Sequence, residues 1–179
     1  GGILFVLLFL VHGSLWLVVK SAGAPHDRAV KLVPKLWAAL LVVAVIFLLV
    51  SRRVTFLYDN YLNNPILFVI PALAVIALIM IRVYIAKGAW WQAWFASCIT
   101  IVGTTLFGVV GLYPKLLPSS IDPAYSLTAF NSSSSPLTLK IMLGVALTFV
   151  PIVIAYQVWV HHLFRHKTGE EDLEHEEGY

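Results

Sequence analysis

Five stretches of this chain, residues 3–19, 36–50, 66–81, 89–113 and 141–160, are almost wholly apolar. Nothing else in the sequence constrains the fold as strongly. A helix rises about 1.5 Å per residue, so a hydrocarbon layer of about 30 Å takes roughly 20 residues to cross. The second and third stretches are shorter, but Arg52 and Arg82 stand at their ends, where long basic side chains snorkel and extend a span. Lipid offers no partner to an open backbone, and none of the stretches alternates with the period of two that a barrel strand needs. The expected fold is therefore an all-α, polytopic transmembrane helical bundle with five spans. Composition agrees. The 179 residues are 60% hydrophobic and 12% charged, against about 45–50% and about 25% in soluble domains. That is more apolar surface than one small globule can bury.

The net charge of +3 hides an asymmetry. Glu170, Glu171, Asp172, Glu174, Glu176 and Glu177 crowd the last ten positions, and only Asp27, Asp59 and Asp122 precede them. The basic residues flank apolar runs and form no patch, which excludes nucleic acid as a partner. Lys20, Arg28, Lys31, Lys35, Arg82, Lys87, Arg165 and Lys167 fall on one side of the bundle. Arg52, Arg53, Lys115 and Lys140 fall on the other. Eight against four predicts that the first side, with the tail 165–179, is cytoplasmic. Trp90, Trp91, Trp94 and Trp159 suit the interfacial belt. The chain opens at Gly1 inside an apolar run, with neither the basic start nor the cleavage site of a signal peptide. It reads as part of a longer polypeptide, with a membrane region over 1–164.

On the fourth span Ser97, Thr100, Thr104, Gly108 and Gly111 recur at steps of three and four. Small side chains in such a stripe let helix backbones approach closely where no hydrophobic effect drives association. Gly144, Thr148 and Ala155 sketch a weaker stripe on the fifth. Either a self-contained bundle or a surface for a second subunit would use them. Pro71 and Pro151 each remove a helical hydrogen bond, freeing the carbonyls of Leu67 and Leu147, so kinks are expected there.

Catalytic apparatus is sparse. No Asp or Glu lies inside the five runs, so the spans cannot build a carboxylate proton relay. His12 is the single histidine deep in a span. An intramembrane histidine is a functional candidate, and haem ligation needs an axial ligand that is usually His, sometimes with Met. The plainer reading is a neutral imidazole hydrogen-bonded to a nearby hydroxyl or carbonyl. His162 and His166 have i, i+4 spacing with no third ligand in view, so no metal site is assigned. Cys98, the lone cysteine, reads as a small buried thiol. There is no phosphate loop, nucleophile elbow or paired zinc motif, and Asn131–Ser132–Ser133 matches a glycosylation acceptor only as a short motif.

The connection 114–136 is 23 residues long, which predicts local order. Asp122–Pro123 starts a turn, and Ser135–Pro136 caps and opens a helix. Its wording is more specific. "LLPSSIDPAYSLTAFNSSSSPLTLKIM" followed by "VPIVIAYQVWV" resembles the C-terminal end of subunit II of cytochrome bd-type quinol oxidases, supported by "NNPILFVIPALAVIAL" and "LFLVHGSLWL" in the family's order and spacing.

The resemblance implies the last five of eight transmembrane helices in the second subunit of a prokaryotic respiratory terminal oxidase. Such enzymes oxidise quinol, reduce O2 to water and generate proton motive force. Haem b and haem d are expected in subunit I, against which this largely structural, non-catalytic chain would pack, sometimes with a small accessory subunit. The family's acidic residues for proton entry belong to the first spans and are not carried over, and no haem ligand is assigned to His12. Bound lipid or quinone against the aromatic residues is a secondary expectation. The alternative from another class is a small transporter or channel subunit, which the proline-broken helices would suit.

Overall fold

The computed structural model describes residues 1–119 and 121–163. The described residues divide into two compact units, Gly1–Tyr113 and residues 114–163. Five helices are long and apolar enough to cross a membrane. The acidic tail, with His166, lies outside the described residues.

In the first unit, α1 (Gly2–Lys20) is followed by α2 (Ala24–Val54), the short α3 (Asp59–Asn63), a 3-10 segment (Pro65–Phe68) running into α4 (Val69–Ala86), and α5 (Trp90–Leu112). α1 is the seam of the bundle. Leu4, Leu8, Val11, Leu15 and Val18 are its most buried residues, spaced alternately by four and three, the pattern of a helix packing along one straight stripe. They meet Ala29, Val33 and Leu40 of α2, Leu78, Ile81 and Ile85 of α4, and Ala93 and Ala96 of α5. α4 and α5 form an antiparallel pair, α1 bridges α2 and α5, and α2 touches α4 most lightly.

The second span differs from its expected bounds of 36–50. α2 begins twelve residues earlier and runs for 31 residues, roughly 46 Å, longer than a hydrocarbon layer. Its first third is amphipathic. His26, Asp27, Arg28, Lys31 and Lys35 interrupt the apolar run, while Ala29 and Val33 are buried one turn apart. Gly23 turns the chain at φ 68, and the His26 ring Nδ1–H donates to Val18 O at 2.9 Å, pinning this helix start to the end of α1. Pro34 lies inside the helix, which continues through it.

Pro71 also behaves differently from the expected kink. It falls in the first turn of α4, directly after the 3-10 segment, where its missing N–H is one a helix leaves unpaired anyway. Pro151 does lie in a helix interior, in α6 (Pro136–Leu163). α2 and α6 run on past their internal prolines.

The second unit holds the long connection and α6. The connection is ordered by a short antiparallel pair, β1 (Lys115–Leu117) with β2 (Leu127–Thr128). Asp122 Oδ1 accepts the Ala124 N–H at 2.8 Å in the turn that its Asp-Pro step starts. α6 begins at Pro136, and Ser135 Oγ accepts the Thr138 N–H at 3.3 Å as its cap.

Candidate functional site

One polar cluster within the membrane-spanning part of the first unit lies where α1 and α5 meet. Ser97 is buried on α5, and its hydroxyl donates to Trp94 O at 2.6 Å, one turn back. That uses its single proton. Its oxygen lies 2.8 Å from His12 Nδ1, so the imidazole must be the donor, and the proton of a neutral ring sits on Nδ1. The His12 ring lies 5.1 Å from that of Trp94, which is 5.2 Å from Trp16 and 5.1 Å from Phe95. Inside this aromatic cluster the Trp94 indole N–H is buried without a hydrogen-bond partner among the described residues. Lys20 caps the cluster, its ammonium 5.5 Å from the Trp16 ring. His12 thus takes the hydrogen-bonded arrangement with a hydroxyl that the sequence left open beside a functional one.

The other predicted positions on α5 fall on more than one face. Thr100 is buried, donates to Ala96 O at 2.9 Å, and with half-buried Thr104 lines an apolar cavity of about 50 Å3 where α1, α2, α4 and α5 converge. Gly111 is buried against α2's downstream loop, where an added Cβ would stand 2.6 Å from Leu57 O. Beside Gly108 there is open space, with none of the described residues within 4 Å of an added Cβ. The close approach of α5 to α4 belongs instead to Gly103, whose Cβ would lie 2.8 Å from Ala74 Cβ. The buried stripe of α5 is Ala93, Ala96, Ser97, Thr100, Gly103, Phe107 and Gly111. It has the same three-and-four spacing as the predicted one but passes through Gly103 and Phe107 in place of Thr104 and Gly108.

Contacts that sequence reasoning missed tie down the far end of α5. The Tyr61 hydroxyl, fully buried on α3, donates to Phe107 O at 2.8 Å. Burial pushes its phenol above the usual tyrosine range, so it stays a donor. Asn60 Nδ2 donates to Val110 O at 2.8 Å and to Tyr113 O, satisfying carbonyls that the helix end leaves free. Between α2 and α4 the Trp37 indole donates to Leu78 O at 2.8 Å. Among the described residues no three of His, Cys, Asp and Glu come together as metal ligands.

A multi-pass helical membrane protein whose polar side chains fasten helix to helix is the class that this arrangement defines. The chain belongs to the cytochrome bd terminal oxidase subunit II family, whose model matches residues 1–164. It is 28% identical to the cytochrome bd ubiquinol oxidase subunit 2 of Bacillus subtilis over 174 residues, 96% of this chain and 50% of that one. A probable cytochrome oxidase subunit 2 of Haemophilus influenzae is 30% identical over 185 residues, 88% of this chain and 49% of the other. The cytochrome bd-I ubiquinol oxidase subunit 2 of Escherichia coli K12 is 35% identical over 117 residues, 64% and 30% of the two chains. The chain spans about half the length, or less, of these curated relatives.

A cytochrome bd oxidase implies haem and quinol in its complex. His12 has one ring nitrogen held by Ser97 and its ring packed toward Trp94. It lines neither the 50 Å3 cavity nor the grooves beside α5.

Proposed function

We propose that this chain is the C-terminal part of the largely structural second subunit of a respiratory terminal oxidase. In this reading the whole complex oxidises quinol, reduces O2 to water and generates proton motive force. Haem b and haem d sit in subunit I, against which this chain packs, with or without a small accessory subunit. The complex resides in a prokaryotic cytoplasmic membrane, with the C-terminus of this chain on the cytoplasmic side, as the distribution of Lys and Arg favours.

The observation that carries the reading is the family match over residues 1–164 on a bundle of spanning helices. The chemistry of the bundle supports the structural role. The Ser97 and Thr100 hydroxyls and the His12 imidazole are engaged with each other and with backbone carbonyls. Gly108 stands beside open space on α5, which suits contact with another chain. Gly108→Leu is then expected to lower the haem content of the purified complex.

The direct test is a reduced-minus-oxidised absorption spectrum of the purified assembly that contains the full-length subunit. Bands of b- and d-type haem are expected. A featureless spectrum from an intact, stoichiometric assembly refutes the oxidase reading.

A further inference from the structure

We propose that the cavity where α1, α2, α4 and α5 converge is a dry binding site for one apolar gas molecule of two atoms, a class that includes dioxygen. Every residue that lines it lies within a spanning helix of the first unit, which puts it at hydrocarbon depth. Its inner wall is built from buried Leu4, Leu8, Leu40, Ala74, Leu78 and Phe107. Among the lining side chains the polar groups are the hydroxyls of Thr100 and Thr104, and the Thr100 proton is already donated to Ala96 O. A buried water makes about three hydrogen bonds, and apolar cavities stay dry. The lining thus excludes water and accepts an apolar guest.

Size narrows the guest. A cavity of about 150 Å3 takes up benzene, with six heavy atoms, or about 25 Å3 for each. At about 50 Å3, this one has room for about two. A quinone ring is too large, and an acyl chain could insert no more than its tip.

The walls are held so that the space does not close. Phe107 is kept from swinging inward by Tyr58 and Tyr61, whose rings lie 5.6 and 5.1 Å from its own. The Trp37 indole donates to Leu78 O at 2.8 Å and fixes α2 against α4 beside the cavity. Ala44 and Ala74 are too short to reach across it. The way in lies on the α2–α4 seam, where the two helices touch lightly. Along that seam the lining is half-buried at Ala44, Phe47 and Pro71 and exposed at Val75. What arrives there is what the hydrocarbon dissolves, and an apolar gas prefers hydrocarbon to water.

The test uses crystals of the native assembly that contains the full-length subunit, pressurised with xenon, an electron-dense probe of apolar cavities. One xenon peak is expected among Leu8, Leu40, Leu78 and Phe107. Ala44→Leu, which extends into the space, should lose the peak, and Val45→Leu, exposed on α2 outside the cavity, should keep it. Dioxygen under pressure should leave a two-atom density at the same point. An absence of xenon from the wild type, with protein, lipid or ordered water in the space, overturns the proposal. So does an equal peak in Ala44→Leu. If Ala44→Leu fails to assemble, the wild-type maps under the two gases decide alone. The maps read gas and not haem, so a haem-free assembly would refute the oxidase reading and leave this one standing.

Discussion

Replacing Gly103 by Ala sets two effects of opposite sign against each other. A methyl at this position stands 2.8 Å from Ala74 Cβ and 3.2 Å from Ala74 Cα. Carbon atoms settle at about 3.5–4.0 Å, so α4 and α5 would have to part by roughly 0.7 Å or more. The obstruction is the backbone and the stub of another helix, neither of which can swing aside. Overpacking of this kind costs about 1–3 kcal/mol. Against it, Ala is favoured over Gly in a helix by about 1 kcal/mol. The expected net effect is a loss of up to about 2 kcal/mol. The reciprocal change supplies the control. In Gly103→Ala with Ala74→Gly the propensities cancel and the methyl reaches the same space from the other side. The pair should therefore return close to wild type, with a coupling of about 1–3 kcal/mol. Denaturant titration of the purified assembly in detergent, followed by tryptophan fluorescence, gives the four midpoints. A Gly103→Ala protein more stable than wild type, or a double variant no better than the sum of the singles, refutes the close approach of α4 and α5 at this point.

Gly111→Ala should be worse than Gly103→Ala in the same titration, because its Cβ would meet Leu57 O at 2.6 Å and Leu57 Cδ1 at 2.7 Å; equal or smaller loss contradicts that contact. Ser97→Ala leaves the His12 Nδ1–H without its acceptor and should cost about 1–3 kcal/mol. Adding His12→Leu removes both partners and should recover part of that loss, whereas strictly additive losses would show the two side chains to be uncoupled. Tyr61 carries a pH signature. Burial raises its folded-state pKa above that of an ordinary tyrosine, so its contribution is complete below about pH 10 and is lost as pH rises through the folded value. Tyr61→Phe should flatten the alkaline fall in stability, and an unchanged alkaline limb would contradict the burial.

How much of this was legible in the residues depends on what bounds each helix. α1 and α5 begin and end within a residue of their apolar runs because Lys20 and the Gly88–Ala89 turn sit at run boundaries. α2 was read twelve residues too short at its start, since a run of apolar residues records contact with lipid and misses an amphipathic turn outside it. Ala29 and Val33 are buried among His26, Arg28, Lys31 and Lys35, at a spacing that period-counting would have caught. The end of α5 is fastened by Asn60 and Tyr61, fifty and forty-six residues away from the carbonyls they bind. No local signal announces such pairs.

The small-residue stripe is a more instructive case. Its spacing is present in the sequence and its phase is not. Ser97, Thr100 and Gly111 fit both a stripe through Thr104 and Gly108 and one through Gly103 and Phe107, because steps of three and four can be exchanged along a helix without losing the period. The neighbour decides between them. Ala74 of α4 offers its own small side chain opposite Gly103, so two backbones meet there. At 107 a large side chain is buried where the period alone would suggest a small one, because Tyr58 and Tyr61 surround the Phe107 ring at 5.6 and 5.1 Å. Small residues lie on more than one face of α5. A pattern read along a single helix merges the face used inside this chain with the open one at Gly108, and only the packing of α4 separates them.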